Sequence, residues 1–216
     1  MSFFCAFTFA AEAAEAPPIP QGYADEQAVM SAILLGQIKL IDAKNISLPD
    51  NVEEILDVEY GTGGERKLQL DLYLPKDRTK ASPAVIFIHG GAWKGGKRSD
   101  MKFYCVKFAE KGYVTATVTY RLMGEAPFPA AVHDVKCAVR WLRANAAKYQ
   151  VVPERIAVSG NSAGGHLSMM IGYSDDPSLE GGGGNNDVSS RVCAVVNFYG
   201  PTDLTTDFAK NQEIVK

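Results

Sequence analysis

From residue 83 onward, short β-branched apolar runs alternate with stretches of helical period, and this alternation constrains the fold more than any other feature of the chain. The spacing predicts strands over 84–88, 113–119 and 155–159, with helices over about 99–111, about 129–148 and from 162 onward. Strand, crossover helix and strand again is the pattern of a parallel sheet with helices on its faces. Two earlier runs, Val52 to Tyr60 and Lys67 to Leu74, are joined by Gly61-Thr62-Gly63-Gly64-Glu65-Arg66. The second alternates Leu68, Leu70, Leu72 and Leu74, which predicts an antiparallel hairpin ahead of the parallel part. A last strand is expected over Val192 to Tyr199.

In the helix at 129–148, Val132, Val135, Val139, Leu142 and Ala146 share one face, with His133, Lys136, Arg140 and Arg143 elsewhere around it. Such a helix packs on the sheet by its apolar face, and solvent exposure is the expectation for His133. Ser174 to Ser190, with Gly181 to Gly184 and Asn185-Asn186, reads as a flexible surface connection. Its Asp175, Asp176, Glu180 and Asp187 lack metal-ligand spacing and read as solvated loop carboxylates. The 216 residues and 46% apolar share suit a single domain over 21–216.

A net charge of −3 and no dense Lys/Arg run exclude the electrostatic footprint of a nucleic-acid or anionic-membrane binder, and favour a small neutral or weakly polar substrate. Cys5, Cys105, Cys137 and Cys193 form no C-x-x-C pair and are expected to be buried thiols. Residues 1–20 run from an apolar stretch into A-x-A spacing and a proline linker, which reads as the remnant of a signal peptide. Secreted or periplasmic location follows from it, cytoplasmic being the alternative. No basic residue precedes Lys39, so the start is expected to be clipped or misplaced. No other apolar run approaches the roughly 18 residues of a membrane span. Met30, Ile33, Leu34, Ile38 and Ile41 predict an amphipathic helix over 25–41, packed on the flank of the sheet or, alternatively, forming a small cap over the active site.

Two glycine-rich segments sit where strands end: His89-Gly90-Gly91-Ala92-Trp93 and Gly160-Asn161-Ser162-Ala163-Gly164-Gly165-His166. The ends of parallel strands are where α/β enzymes place their chemistry. A serine hydroxyl is a weak nucleophile and must be held exposed on a tight strand-to-helix turn. Gly160 and Gly164 flank Ser162 as such a turn requires, and the N–H of Ala163 at the helix start can donate to a developing oxyanion. The amides of Gly91 and Ala92 are the further donors expected, with His89, Gly90, Trp93, Asn161 and Gly165 as supporting residues.

These motifs resemble the α/β-hydrolase fold and, within it, the esterase and lipase groups whose oxyanion loop reads H-G-G-x-W or H-G-G-G. The resemblance runs from about residue 55 to 208 and takes in Asp71-Leu72-Tyr73-Leu74-Pro75, Tyr120-Arg121-Leu122, Phe128-Pro129-Ala130, Asp134-Val135-Lys136 and Tyr199-Gly200-Pro201-Thr202-Asp203. It implies a mostly parallel sheet with an N-terminal antiparallel hairpin and helices on both faces. It implies Ser162 as nucleophile, an oxyanion hole at Gly91, Ala92 and Ala163, hydrolysis of a small-molecule carboxylic ester through an acyl-enzyme, and no cofactor or metal. The family supplies its acid and histidine after the seventh and eighth strands, so the chain is expected to be truncated after about the sixth and weakly active or inactive. His166 reads as a packing residue, His89 as a brace of its loop, and Asp134 as a helix residue bonded to backbone or arginine. Asp203 is expected to shape the pocket wall or cap a helix rather than serve as triad acid. Trp93, Tyr120, Phe128 and Tyr199 suggest an aromatic-lined pocket. An arylformamidase-like amide hydrolase and a non-catalytic binding module on the same fold are the alternatives; the ester and the oligomeric state are not read from the sequence.

Overall fold

A computed structural model describes residues 21–35, 37 and 46–205. The residues group into two units, up to Asp42 and from Ala43. In the first, Glu26–Leu34 forms helix α1, the early part of the helix expected over 25–41. Ile38, Ile41 and the signal-like stretch 1–20 lie outside the described residues.

Among the described residues the second unit is built on six strands: β1 (Val52–Gly63), β2 (Arg66–Pro75), β3 (Ser82–Ile88), β4 (Val114–Val118), β5 (Val151–Asn161) and β6 (Ala194–Phe198). They form one sheet in the order β1-β2-β4-β3-β5-β6. The predicted hairpin is present as the antiparallel β1–β2 pair. β2 joins β4 antiparallel, and β4, β3, β5 and β6 run parallel. Three helices make the crossovers: α2 (Lys102–Ala109) after β3, α3 (Ala130–Ala144) after β4, and α4 (Ala163–Tyr173) after β5. Alternation along β3 sends Ile86 and Ile88 into the core shared with α3 and α4, and Val85 and Phe87 into the smaller core under α2. After β3 the chain moves to one side of the sheet, toward β4, and after β5 to the other, toward β6. The carboxyl ends of β3 and β5 therefore flank the point where the strand order reverses, which opens a crevice between their loops.

α3 departs from the sequence reading. Val132, Val135, Val139 and Leu142 are buried as expected, but Lys136 and Arg140 are buried too, at 1% and 2% exposure. The reason is the 174–190 connection, which folds back over the helix instead of standing in solvent. Glu180 Oε1 accepts from Lys136 Nζ at 2.6 Å, Glu180 Oε2 lies 3.3 Å from Arg140 Nη1, and the Ser190 hydroxyl donates to the same carboxylate. Thr62 N donates to Gly183 O at 3.0 Å, stitching the loop to β1. His133 is half-buried beneath it, with Nε2 2.9 Å from Ser178 O. Burial pushes the Glu180 carboxyl up, but hydrogen bonds from Lys136 and Ser190 and the two cations outweigh it and hold the group below the usual glutamate range. Asp134 bonds as expected, accepting from the backbone and guanidinium of Arg121. Cys105 and Cys137 are buried, whereas Cys193 is exposed because it leads into the edge strand β6. Among the described residues no helix is long and apolar enough to cross a membrane.

Candidate active site

Ser162 joins β5 to α4 with φ 51° and ψ −121°, a conformation that costs a non-glycine residue about 1–3 kcal/mol. Bonds on both sides impose it: Ser162 N donates to Phe198 O of β6 at 2.9 Å, and His166 N donates to Ser162 O at 3.1 Å. Gly160 and Gly164 allow the close approach. A Cβ on Gly160 would lie 2.8 Å from Ile88 O and strike the Gly164 carbonyl, while one on Gly164 would strike Ile88 O. α4 thus begins directly against the end of β3, which brings the serine to the crevice. Ser162 is partly exposed, and among the described residues its hydroxyl has no hydrogen-bond partner.

The loop after β3 faces it across that crevice. Gly91, Ala92 and Trp93 all have positive φ, at 117°, 52° and 56°, and fold the chain back so that Lys94 N and Gly95 N both donate to Gly91 O at 3.0 Å. Gly90 N donates to Asn161 Oδ1 at 3.0 Å. None of these bonds uses the amides of Gly91 or Ala92. Ala163 is the first residue of α4, where an N–H has no partner within the helix.

His89 is a buried brace for the loop, its Nδ1 2.8 Å from Gly90 O and its ring stacked on Tyr120 with centroids 4.4 Å apart. The Tyr120 hydroxyl donates to His89 O at 2.9 Å. Burial lowers the imidazole pKa of His89, with the Gly90 carbonyl and Asp100 acting weakly the other way. Behind the loop Arg98 bonds Asp71 and Asp57, each at 2.5 Å. Burial raises the Asp71 carboxyl despite the Asp57 amide and Arg98.

Asn161 has a larger part than its place in the motif suggests. Its Oδ1 holds the oxyanion-type loop and its Nδ2 reaches the Tyr199 hydroxyl at 3.4 Å, so one side chain ties the ends of β3, β5 and β6 together. Gly90 lies 71 residues away in sequence, and no local signal announces the pairing. Gly165 packs against Asn197 Oδ1, again without room for a side chain. Asp203 accepts from Thr205 N at 2.8 Å and from its hydroxyl at 2.6 Å, closing a local turn.

A cavity of about 380 Å³ opens at the first turns of α4, walled mainly by Trp93, Met123, Phe128, Val132, Leu167 and Leu204. Two of the four expected aromatics are in it. Tyr120 instead lies buried behind His89, and Tyr199 stands exposed. His166 also borders the cavity, edge-on to Trp93 with centroids 5.2 Å apart, so it is a wall residue rather than interior packing.

A family model described as BD-FAE matches residues 70–215. This chain belongs to the BD-FAE family. Esterase LipQ of Mycobacterium tuberculosis is 35% identical over 153 residues, 69% of this chain and 36% of LipQ. The probable carboxylic ester hydrolase LipM of the same organism is 36% identical over 153 residues, 69% of this chain and 35% of LipM. Among solved structures, the bifunctional GH43-CE of Bacteroides eggerthii superposes with a TM-score of 0.63 at 34% identity, over 72% of this chain and 24% of that one. The butyrate-bound esterase of Thermogutta terrifontis gives 0.64 at 29% identity, over 76% and 58%. The BD-FAE chain described here thus has the α/β-hydrolase fold of these esterases, and spans about a third of the length of the curated relatives it matches.

Proposed function

We propose that the chain carries the nucleophile and oxyanion hole of a carboxylic ester hydrolase. Ser162 Oγ attacks the ester carbonyl, and the oxyanion is received by the N–H groups of Gly91, Ala92 and Ala163. Collapse of the tetrahedral adduct breaks the bond to the alcohol oxygen, which leaves as the alcohol with the proton given up by the serine hydroxyl, and the acyl-serine that remains is hydrolysed by water to the acid and free serine. Each oxyanion donor contributes about 2.7–4 kcal/mol to such a transition state. The observation that carries this reading is the strained Ser162 elbow set across the β3–β5 crevice from a loop whose Gly91 and Ala92 amides serve none of the loop's own bonds. The esterase names of the relatives support it.

On this reading the proton acceptor for Ser162 is none of the three histidines. His89 and His133 are bonded elsewhere, and His166 makes no bond to the serine hydroxyl.

Two measurements test the assignment. A fluorophosphonate should label the Ser162 peptide, as read by mass spectrometry, and p-nitrophenyl acetate hydrolysis above background should disappear in Ser162→Ala. Equal rates in wild type and variant, with no label on that peptide, would refute it.

A further inference from the structure

Among the described residues, only Arg121 and His166 bring a charged or titratable side chain to the otherwise apolar cavity at the start of α4. Arg121 is committed, its Nε and Nη2 on Asp134 and its Nη2 also on Ala130 O. His166 is not. Its backbone holds Ser162 O and its ring stands edge-on to Trp93, but Nδ1 is sealed from solvent without a hydrogen-bond partner. Nε2 has no partner among the described residues either, and is not sealed. The chain's other histidines are both occupied, His89 on Gly90 O and His133 on Ser178 O.

The tautomer follows from this asymmetry. A buried N–H without an acceptor is rarer and costlier than an unused lone pair, so the neutral ring keeps its proton off Nδ1 and on Nε2. Burial lowers the pKa of the imidazole and keeps it neutral near pH 7. Nε2–H is therefore an unspent donor on the wall of an apolar cavity, the kind of sparse polar group that sets orientation and specificity in ligand sites. It lies four residues after Ser162, on the helix that Ser162 caps, and its backbone N–H donates to Ser162 O at 3.1 Å.

We propose that His166 is a specificity-determining residue: its Nε2–H donates to an oxygen acceptor two to four bonds from the scissile carbonyl carbon, so that esters with a second oxygen are preferred over plain hydrocarbon esters. The proposal rests on the Ser162 reading above. A site arranged to hydrogen-bond a substrate oxygen discriminates against the analogue with a methylene in its place.

The test uses pairs that differ only by oxygen for methylene: p-nitrophenyl methoxyacetate against p-nitrophenyl butanoate, and 2-methoxyethyl acetate against butyl acetate. The ratio of kcat/KM within a pair cancels any general loss of activity. In His166→Phe the oxygen-to-methylene ratio should fall about 3- to 10-fold in at least one pair, the worth of one neutral hydrogen bond, and His166→Gln should restore part of it. A change below about twofold in both pairs overturns the proposal. So does a loss of all turnover in His166→Phe equal to that of Ser162→Ala, which would assign the ring to proton transfer.

A second arm needs no turnover. Long-range ¹H–¹⁵N spectra of the histidine rings should show His166 as the Nε2–H tautomer, with a shift on adding methoxyacetone that 2-pentanone does not produce. An Nδ1–H tautomer, or equal shifts with both ketones, overturns the proposal. If Ser162→Ala hydrolyses esters as fast as the wild type, the serine reading fails by itself, and the ketone titration still decides the role of His166.

Discussion

Removing the Glu180 charge should destabilise the sheet unit although this residue lies in a glycine-rich surface loop. Glu180 is the only carboxylate bonded to Lys136 and Arg140 among the described residues, and those two cations are 1% and 2% exposed on α3. In Glu180→Gln the shape is kept and the charge is lost. Lys136 would retain Ser174 O at 3.2 Å, and Arg140 would retain Gly184 O and the residue-180 carbonyl, at 3.1 and 2.7 Å. Arg140 Nη2 is already buried without a partner, so the site has no reserve of acceptors. Breaking a fully buried ion pair costs about 3–5 kcal/mol and an exposed one about 0–1. The Glu180 side chain is 42% exposed, which places the expected loss between these limits, at about 2–3 kcal/mol. For a unit of this size that is a fall in Tm of about 4–12 °C, read by circular dichroism or calorimetry. Glu180→Gln combined with Lys136→Met should recover part of the loss, with a coupling above about 1 kcal/mol in the double-mutant cycle. A Glu180→Gln protein within about 0.5 kcal/mol of wild type would refute the claim that the loop neutralises buried cations. The folded Glu180 carboxyl is depressed below its ordinary value of 4.5, so this stability is complete above that pH and is lost as pH falls through the folded value.

Gly164→Ala should lower stability by about 1–3 kcal/mol and slow fluorophosphonate labelling of Ser162, because the added Cβ strikes the Ile88 carbonyl. Unfolding and labelling are measured on one preparation, and unchanged values in both would show that the elbow tolerates a side chain there. His89 and His166 are both held below the ordinary imidazole value by burial, so the unfolded chain takes up protons first on acidification. Their contribution is complete above about pH 6.5 and is lost as pH falls through the folded values. Urea midpoints should therefore begin to decline below about pH 6.5. A midpoint flat down to pH 5 would count against buried neutral imidazoles.

Local pattern was enough to make the sheet legible. Period-2 leucines in β2 and β-branched runs in β3, β4 and β5 each name a strand without reference to anything distant. The elbow was legible too, because glycines two residues either side of a serine answer a constraint contained within five residues. His89 as a brace and Asp134 as an arginine partner followed from similar reasoning. By contrast, Lys136 and Arg140 look like solvent-facing positions on the helical wheel, and only the return of residues 174–190 over α3 makes them interior.

Asn161 and His166 show the same limit at the site. Asn161 has meaning through Gly90 and Tyr199, and His166 through Trp93, partners that the strand order delivers from distant segments. The sequence by itself determined the elements, the sheet type and the turn that presents Ser162, since hydrophobic periodicity and glycine sterics act over a few residues. Tertiary structure alone decided which charges are buried, which loop faces the serine and which ring borders its cavity, because those depend on contacts that exist only after β3, β5 and β6 align.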